Sequence, residues 1–237
     1  MNDYRVSGNV DIHDVDHNGI LKASCALKYM QNAAQAQLNS NGMSYDELKA
    51  EGRAFILSKI KLEIYKPLSA YQPYVASSYP CESRGYSFLR CYSLERDGEI
   101  VARAASIWAL VDINNRSLVR VNDFDLRLPI LPHNDITFGI MRMPVEGLAD
   151  VGGYGVHYGD VDQNKHMNNT RYPDMYSTYL PLDGRMISSV TIHYTNEAPM
   201  GEKLRVQRAV TDGAYFFRTV RSDGKVNSEA KITLAEL

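Results

Sequence analysis

Between Asp160 and Asn169 the chain reads Asp160-Val161-Asp162-Gln163-Asn164-Lys165-His166-Met167-Asn168-Asn169. This short run crowds together acidic groups, carboxamides and one imidazole. A histidine that shares a proton with a carboxylate can perform general acid–base work near neutral pH. Glu197, in a turn after an alternating apolar strand, is a candidate partner. The residue types alone also suit a capped turn, because Asp-x-Asn before a helix commonly bonds its own backbone. No HExxH motif suggests a metal, and no cofactor motif appears.

The elements that must position these residues occur twice. Val10 to Asn18 reads VDIHDVDHN and Val156 to Asn164 reads VHYGDVDQN. Both contain D-V-D-x-N, and Asp16 and Asp162 are separated by 162 − 16 = 146 positions. A helical pattern follows each copy, over Ser24 to Asn39 and over Asn169 to Leu180, with Asn168 or Asn169 able to cap the second. Alternating strands come next, at Ile56 to Lys66 and Met186 to Thr195. The alternation puts Ile56, Ser58, Ile60, Leu62 and Ile64 on one face. Aligning Leu62 with Ile192 gives an offset of 130, so the second copy is shorter and lacks the excursion Ser40 to Gly52. Further strand-like runs close each half, with Asp97-Gly98 and Asp223-Gly224 at hairpin turns. Asn122 to Met143 reads as a linker. The expected fold is α+β: two tandem domains, 1–128 and 129–237, each a long helix packed on a curved antiparallel sheet.

The copies differ where chemistry would sit. His166 corresponds to Ile20 and Glu197 to Pro67. An active site therefore belongs to the second half, with Asp162, Asn164, His166 and Glu197 as candidates. His13, His17 and His133 read as surface residues. Cys25, Cys81 and Cys91 are odd in number and show no ligand spacing, so free buried thiols are expected. A net charge of −2 gives no basic footprint for nucleic acid. No apolar run approaches the roughly 18 residues of a membrane span.

The chain resembles the acyl-acyl carrier protein thioesterases over nearly its whole length. Leu62-Glu63-Ile64-Tyr65-Lys66 resembles the family's IEIYK strand. Ser106-Ile107-Trp108 and Asn115 to Val121 resemble its S-K-W and TRRLQRV segments, and Asp160 to Asn169 resembles its D-L-D-x-N-Q-H-V-N-N. The resemblance implies two tandem hot-dog domains, no cofactor, and acyl carrier protein as the partner that presents a fatty acyl thioester. It carries the family's catalytic Asp, Asn, His and Glu onto Asp162, Asn164, His166 and Glu197. It implies hydrolysis by water that Glu197 and His166 deprotonate. Asn164 would position the water or carbonyl, Asp162 would orient Asn164 and His166 or itself serve as the base, and a backbone N–H near Asn168 and Asn169 would face the oxyanion. By the same analogy an apolar groove in the first half would hold the acyl chain, with Leu27, Met30, Ala34, Ile60, Leu62 and Ile64 as groove or core residues. The plant members carry a transit peptide that is not seen here, which suggests a bacterial cytoplasmic protein; a homodimer is left open. An acyl-CoA thioesterase, a non-catalytic acyl-binding module and a hot-dog dehydratase are the alternative readings.

The plant family's cysteine falls on Ala198, which cannot form an acyl-enzyme. Replacing Cys25, Cys81 and Cys91 together by Ser is expected to leave kcat close to wild type. Stopped-flow assay of a correctly folded variant checks this; an acylated thiol trapped by mass spectrometry would contradict it.

Overall fold

The computed structural model describes residues 3–237. The first half contains β1 (Tyr4–Asn9), α1 (Ala23–Asn39), α2 (Tyr45–Ala50), β2 (Arg53–Ile64), β3 (Pro73–Pro80), β4 (Phe88–Arg96), β5 (Glu99–Asp112) and the short β6 (Ser117–Val119). The second contains β7 (Ala149–Gly155), α3 (Tyr172–Ser177), β8 (Arg185–Tyr194), β9 (Lys203–Thr211), β10 (Ala214–Val220) and β11 (Val226–Glu236). Among the described residues the strands join in one antiparallel sheet, ordered β1-β3-β4-β5-β2-β8-β11-β10-β9-β7, with β6 on β5. The second half of that order mirrors the first. Two copies of one motif, each a helix over a five-stranded sheet, meet along β2 and β8. No helix among the described residues is long and apolar enough to cross a membrane.

The register at the seam shows the duplication. Ile60 faces Ile192, Lys61 faces Thr191 and Leu62 faces Val190. Because 191 − 61 = 130, the central pair joins a residue to its own counterpart under the offset read from the sequence. A pseudo-two-fold axis therefore passes through Lys61 and Thr191. Ile60, Leu62, Val190 and Ile192 are almost completely buried, which fixes the register: a slip by one residue would turn them to the opposite face.

Local chemistry explains the edges of the elements. Asp97 and Gly98 take φ of 53° and 80°, as a two-residue hairpin turn requires. Along α1, Ala23, Ala26, Leu27, Met30, Ala33, Ala34 and Gln37 are buried at helical spacing against the sheet. Residues 124–148 hold no regular strand, yet they are fastened down. Asn134 Nδ2 donates to Ala104 O at 3.0 Å, Ile136 is buried beside Cys81 and Cys91, and Met143 and Leu148 pack on Phe216.

Two expectations need correction. Strict alternation in β2 fails because the ladder to β5 shifts between Leu57 and Lys59. That bulge inserts Ser58, so Leu57 is buried while Ile56 is 45% exposed. The second helix is also far shorter than Asn169 to Leu180. A 3-10 turn at Asn169–Arg171 precedes a six-residue α3. Pro173 fits the first turn of α3, but Pro181 disfavours helical backbone at Leu180, and the run closes early. The bulge makes an opposite prediction to simple alternation. Leu57→Ser should destabilise the protein by about 2–4 kcal/mol, and Ile56→Ser by less than about 0.5 kcal/mol. Urea unfolding of the two variants checks the phase.

Candidate active site

The two D-V-D-x-N turns fold alike. Asp16 Oδ1 accepts from Asn18 N and Asp162 Oδ1 accepts from Asn164 N, both at 2.8 Å. The Asp16 N–H donates to Ile20 O, and the Asp162 N–H to His166 O. Gly19 and Lys165, 146 residues apart, both have positive φ, 74° and 63°. One role of Asp162 is therefore to close its own turn through the Asn164 backbone; its carboxylate makes no bond to the His166 ring.

A second segment zips against each turn. Met167 N donates to Ala198 O at 2.8 Å, and His166 bridges Pro199; in the first half Leu21 N donates to Leu68 O and Ile20 bridges Ser69. Since 198 − 68 and 199 − 69 both equal 130, the two offsets meet in one scaffold. The buried Asn227 shapes the carboxylate-bearing turn. Its carbonyl accepts from the Thr195 and Asn196 N–H groups, and its Nδ2 donates to Asn196 O and to Tyr172 OH. In the second copy this zipper brings His166 Nδ1 within 3.3 Å of Glu197 Oε2, with both side chains partly open to solvent. In the first copy Ile20 and Pro67 leave no such pair.

Asp162, Asn164, His166, Asn169 and Glu197 all line one cavity of about 610 Å³. The rest of its wall comes largely from the first half: Leu38, Met43, Leu48, Phe55, Leu57 and Trp108 among others. Of the six apolar residues expected to form groove or core, only Ala34 lines this cavity. Leu27, Met30, Ile60 and Leu62 are sealed core, and Ile64 faces a second cavity of about 540 Å³ around the first-half turn. The first-half excursion explains the difference. Met43, Tyr45 and Leu48 come from α2 and the loop before it, which roof the cavity. Arg90 also reaches the wall, buried, with both terminal nitrogens donating to Gln37 Oε1 at 2.8 and 2.7 Å.

The carboxamides divide by task. Asn168 caps the 3-10 turn: its Oδ1 accepts from Thr170 N at 2.9 Å, and its own N–H donates to Asp160 O at 2.8 Å. It does not line the cavity. Asn169 does, and its N–H has no protein acceptor among the described residues. Asn18 is fully engaged, with Nδ2 on Leu182 O and Arg185 O and Oδ1 on Gly184 N, so it staples the short second-half loop. Asn164, its counterpart, makes one side-chain bond, accepting from Tyr45 OH at 2.7 Å. That bond turns the Asn164 amide nitrogen away from Tyr45. Tyr45 lies in the excursion with no second copy, so the repeat comparison gave no signal for it. The three cysteines are buried outside the cavity wall, and burial pushes the Cys25 thiol up to about 11.

The duplicated helix-on-sheet unit, with the His166–Glu197 pair at one of its two turns, defines a tandem hot-dog protein. Known structures share that arrangement: an acyl-ACP thioesterase from Bacteroides thetaiotaomicron superposes with a TM-score of 0.89 at 17% identity, covering 98% of this chain and 97% of that one. The 12:0-ACP thioesterase of Umbellularia californica gives 0.82 at 16% identity, over 99% and 98% of the two chains. The chloroplastic acyl-[acyl-carrier-protein] hydrolase FATB1 of Cuphea viscosissima is 26% identical over 125 residues, 48% of this chain and 30% of the relative, so the match spans under a third of that protein's length. The profile of the acyl-ACP thioesterase N-terminal domain matches residues 2–127, and that of the C-terminal domain matches residues 148–236. The chain belongs to the acyl-ACP thioesterase family.

Tyr45→Phe removes the hydroxyl that orients Asn164 and leaves the ring in place. A lost hydrogen bond of about 1 kcal/mol should lower kcat/KM by roughly fivefold to tenfold. The melting temperature should stay within about 2 °C, because the bond is exposed. Initial-rate kinetics with a thermal melt check both parts.

Proposed function

We propose that this chain hydrolyses fatty acyl thioesters carried on acyl carrier protein, releasing free fatty acid and the carrier thiol. The reading is carried by one observation: the His166–Glu197 pair, 3.3 Å apart, stands in the wall of a largely apolar cavity built mainly by the other half. In this reading residues 1–128 hold the acyl chain and residues 129–237 supply the chemistry. An apolar groove gains about 0.8 kcal/mol for each methylene it removes from water, and that energy can hold the thioester against the turn.

Glu197, with His166 beside it, takes a proton from water as the water oxygen bonds to the thioester carbon. The carbonyl π pair moves onto oxygen, where the Asn169 N–H and the Asn164 amide are the available donors. When the pair returns, the carbon–sulfur bond breaks, and the proton held by the Glu197–His166 pair passes to the departing sulfur. Asp162 holds the turn that carries both Asn164 and His166. No thiol lies in the cavity wall, which supports direct attack by water over an acyl-enzyme.

The test compares the two halves. His166→Ala should lower kcat on a saturated acyl-carrier substrate by roughly 10²–10⁴, the usual loss for an acid–base group. His17→Ala, in the turn of the inert copy, should leave kcat within about twofold. Full activity in the His166 variant would refute the assignment.

A further inference from the structure

Arg90 puts a guanidinium without a counter-charge into the wall of the cavity. It sits in β4 between Phe88 and Tyr92 on one face of the strand, and all three line the cavity that holds His166 and Glu197. Only 8% of Arg90 is exposed. Its hydrogen bonds go to neutral groups. Nη1 and Nη2 donate to Gln37 Oε1 at 2.8 and 2.7 Å, and Nη1 also donates to Ser78 Oγ at 3.1 Å. No carboxylate pairs with it among the described residues, and burial pulls its pKa below the usual arginine value. Taking an arginine out of water with no anion beside it is costly, and arginines are almost never buried unpaired.

The bonds already made fix which edge of the guanidinium is left. Arginine has five N–H donors in a planar fork. The end of the fork, one N–H from each terminal nitrogen, closes on Gln37, and the other N–H of Nη1 goes to Ser78. The side of the fork remains: Nε–H and the second N–H of Nη2, which lie parallel. That edge is not sealed. Among the described residues the closed-off side-chain atoms without a partner are Gln31 Nε2, Asn169 Oδ1, His193 Nε2 and Arg221 Nε. Arg90 Nε makes no hydrogen bond and is not one of them, so it keeps surface that a ligand can touch. Gln37 and Ser78 cover the far edge, which leaves the open one toward the cavity that Arg90 lines. The polar atoms beside it are occupied, since Tyr92 OH and Trp108 Nε1 both bond Ser106 Oγ, at 2.9 and 2.7 Å. Two parallel N–H groups on a cation match the two oxygens of a carboxylate.

The sheet sets where along a substrate this edge would act. Strands β4, β5, β2 and β8 are neighbours in that order, and β8 leads into the turn of Glu197. Three strand spacings of roughly 4.8 Å put β4 about 14 Å from β8. Arg90 therefore takes no part in bond breaking and meets the remote end of an acyl chain. A methyl group arriving there would strip the last water from a bare cation and return nothing. Resting on the thioesterase reading above, we propose that the acyl chain hydrolysed here carries a carboxylate at its far end, held side-on by the Arg90 Nε–H and Nη2–H. The substrate is then the half-thioester of a dicarboxylic acid, and hydrolysis releases that diacid and the carrier thiol. Gln37 and Ser78 position the guanidinium. The chemistry at the thioester carbon is unchanged.

The test loads acyl carrier protein with chains of equal length, one ending in methyl and one in carboxylate, from short to long. At the best length wild type should favour the carboxylate end by roughly tenfold to hundredfold in kcat/KM, the usual worth of a hydrogen bond to a charged group. Arg90→Met keeps an apolar stem and removes the fork. It should bring the two ends to within about twofold of each other, with the rate on methyl-ended chains held or raised. The ratio of two substrates does not depend on how much of the variant is folded, and the wild-type comparison needs no variant. Wild type that favours the methyl end, or is indifferent at every length, overturns the proposal. So does a preference for carboxylate that survives Arg90→Met. An ω-hydroxy chain of the same length should be cleaved more slowly than the carboxylate; equal rates would show that a neutral acceptor suffices and overturn the choice of an anion. Wild type that cleaves neither series defeats the thioesterase reading itself. Wild type that cleaves methyl-ended chains well and carboxylate-ended chains no better defeats this inference alone.

Discussion

The antiparallel pairing of β2 with β8 is the contact on which the rest of the molecule depends. Five consecutive residue pairs, from Lys59–His193 to Glu63–Ser189, join two half-sheets into one, and the buried Ile60, Leu62, Val190 and Ile192 lock their register. A curved sheet with a single helix on it leaves an open edge and an uncovered end. Pairing edge to edge about a two-fold axis removes the edge and lays each half's helix beside the other half's turn. Every cross-half contact at the site follows from that geometry: Tyr45 on Asn164, Ser24 on Asp174, and α2 above the cavity.

Symmetry builds two equivalent turns, and the sequence then separates their uses. In one, Asn18 is consumed by three bonds to the Leu182–Arg185 loop, and Ile20 and Pro67 close the place where protons could move. In the other, the excursion before β2 replaces that short loop. It covers the cavity with apolar side chains and leaves Asn164 a single anchoring bond. The insertion and the titratable pair lie on different halves but serve the same cavity. This is the physical sense in which the duplicated copies are no longer interchangeable.

The polar groups around the cavity follow a consistent division. Several build the scaffold: Asn168 caps the 3-10 turn, Asp162 closes its own turn, and Asn227 sits behind the Glu197 loop. Asn164 and Asn169, which line the cavity, have bonding capacity left over: Asn164 makes a single side-chain bond, and the Asn169 N–H has no acceptor among the described residues. Preorganised donors held by rigid neighbours stabilise developing charge without reorganisation.

The sequence by itself determined the duplication, the strand and turn order, and the half that carries His166 and Glu197, because these rest on local patterns: D-V-D-x-N, period-two alternation, Asp-Gly turns and two offsets that survive in one dimension. The pairing of His166 with Glu197 was legible too, since each sits at a fixed distance from an element the repeat identifies. Only the tertiary structure decided the phase of β2 at Ser58, because a bulge depends on the partner strand. It also decided that Leu27, Met30, Ile60 and Leu62 are core while Leu38, Met43, Leu48 and Phe55 line the cavity, because burial against a core and burial against a groove leave the same apolar letters in a sequence. Tyr45 stayed invisible for a related reason: it bonds a turn more than a hundred residues away, and only the two-fold packing of the halves brings the two together.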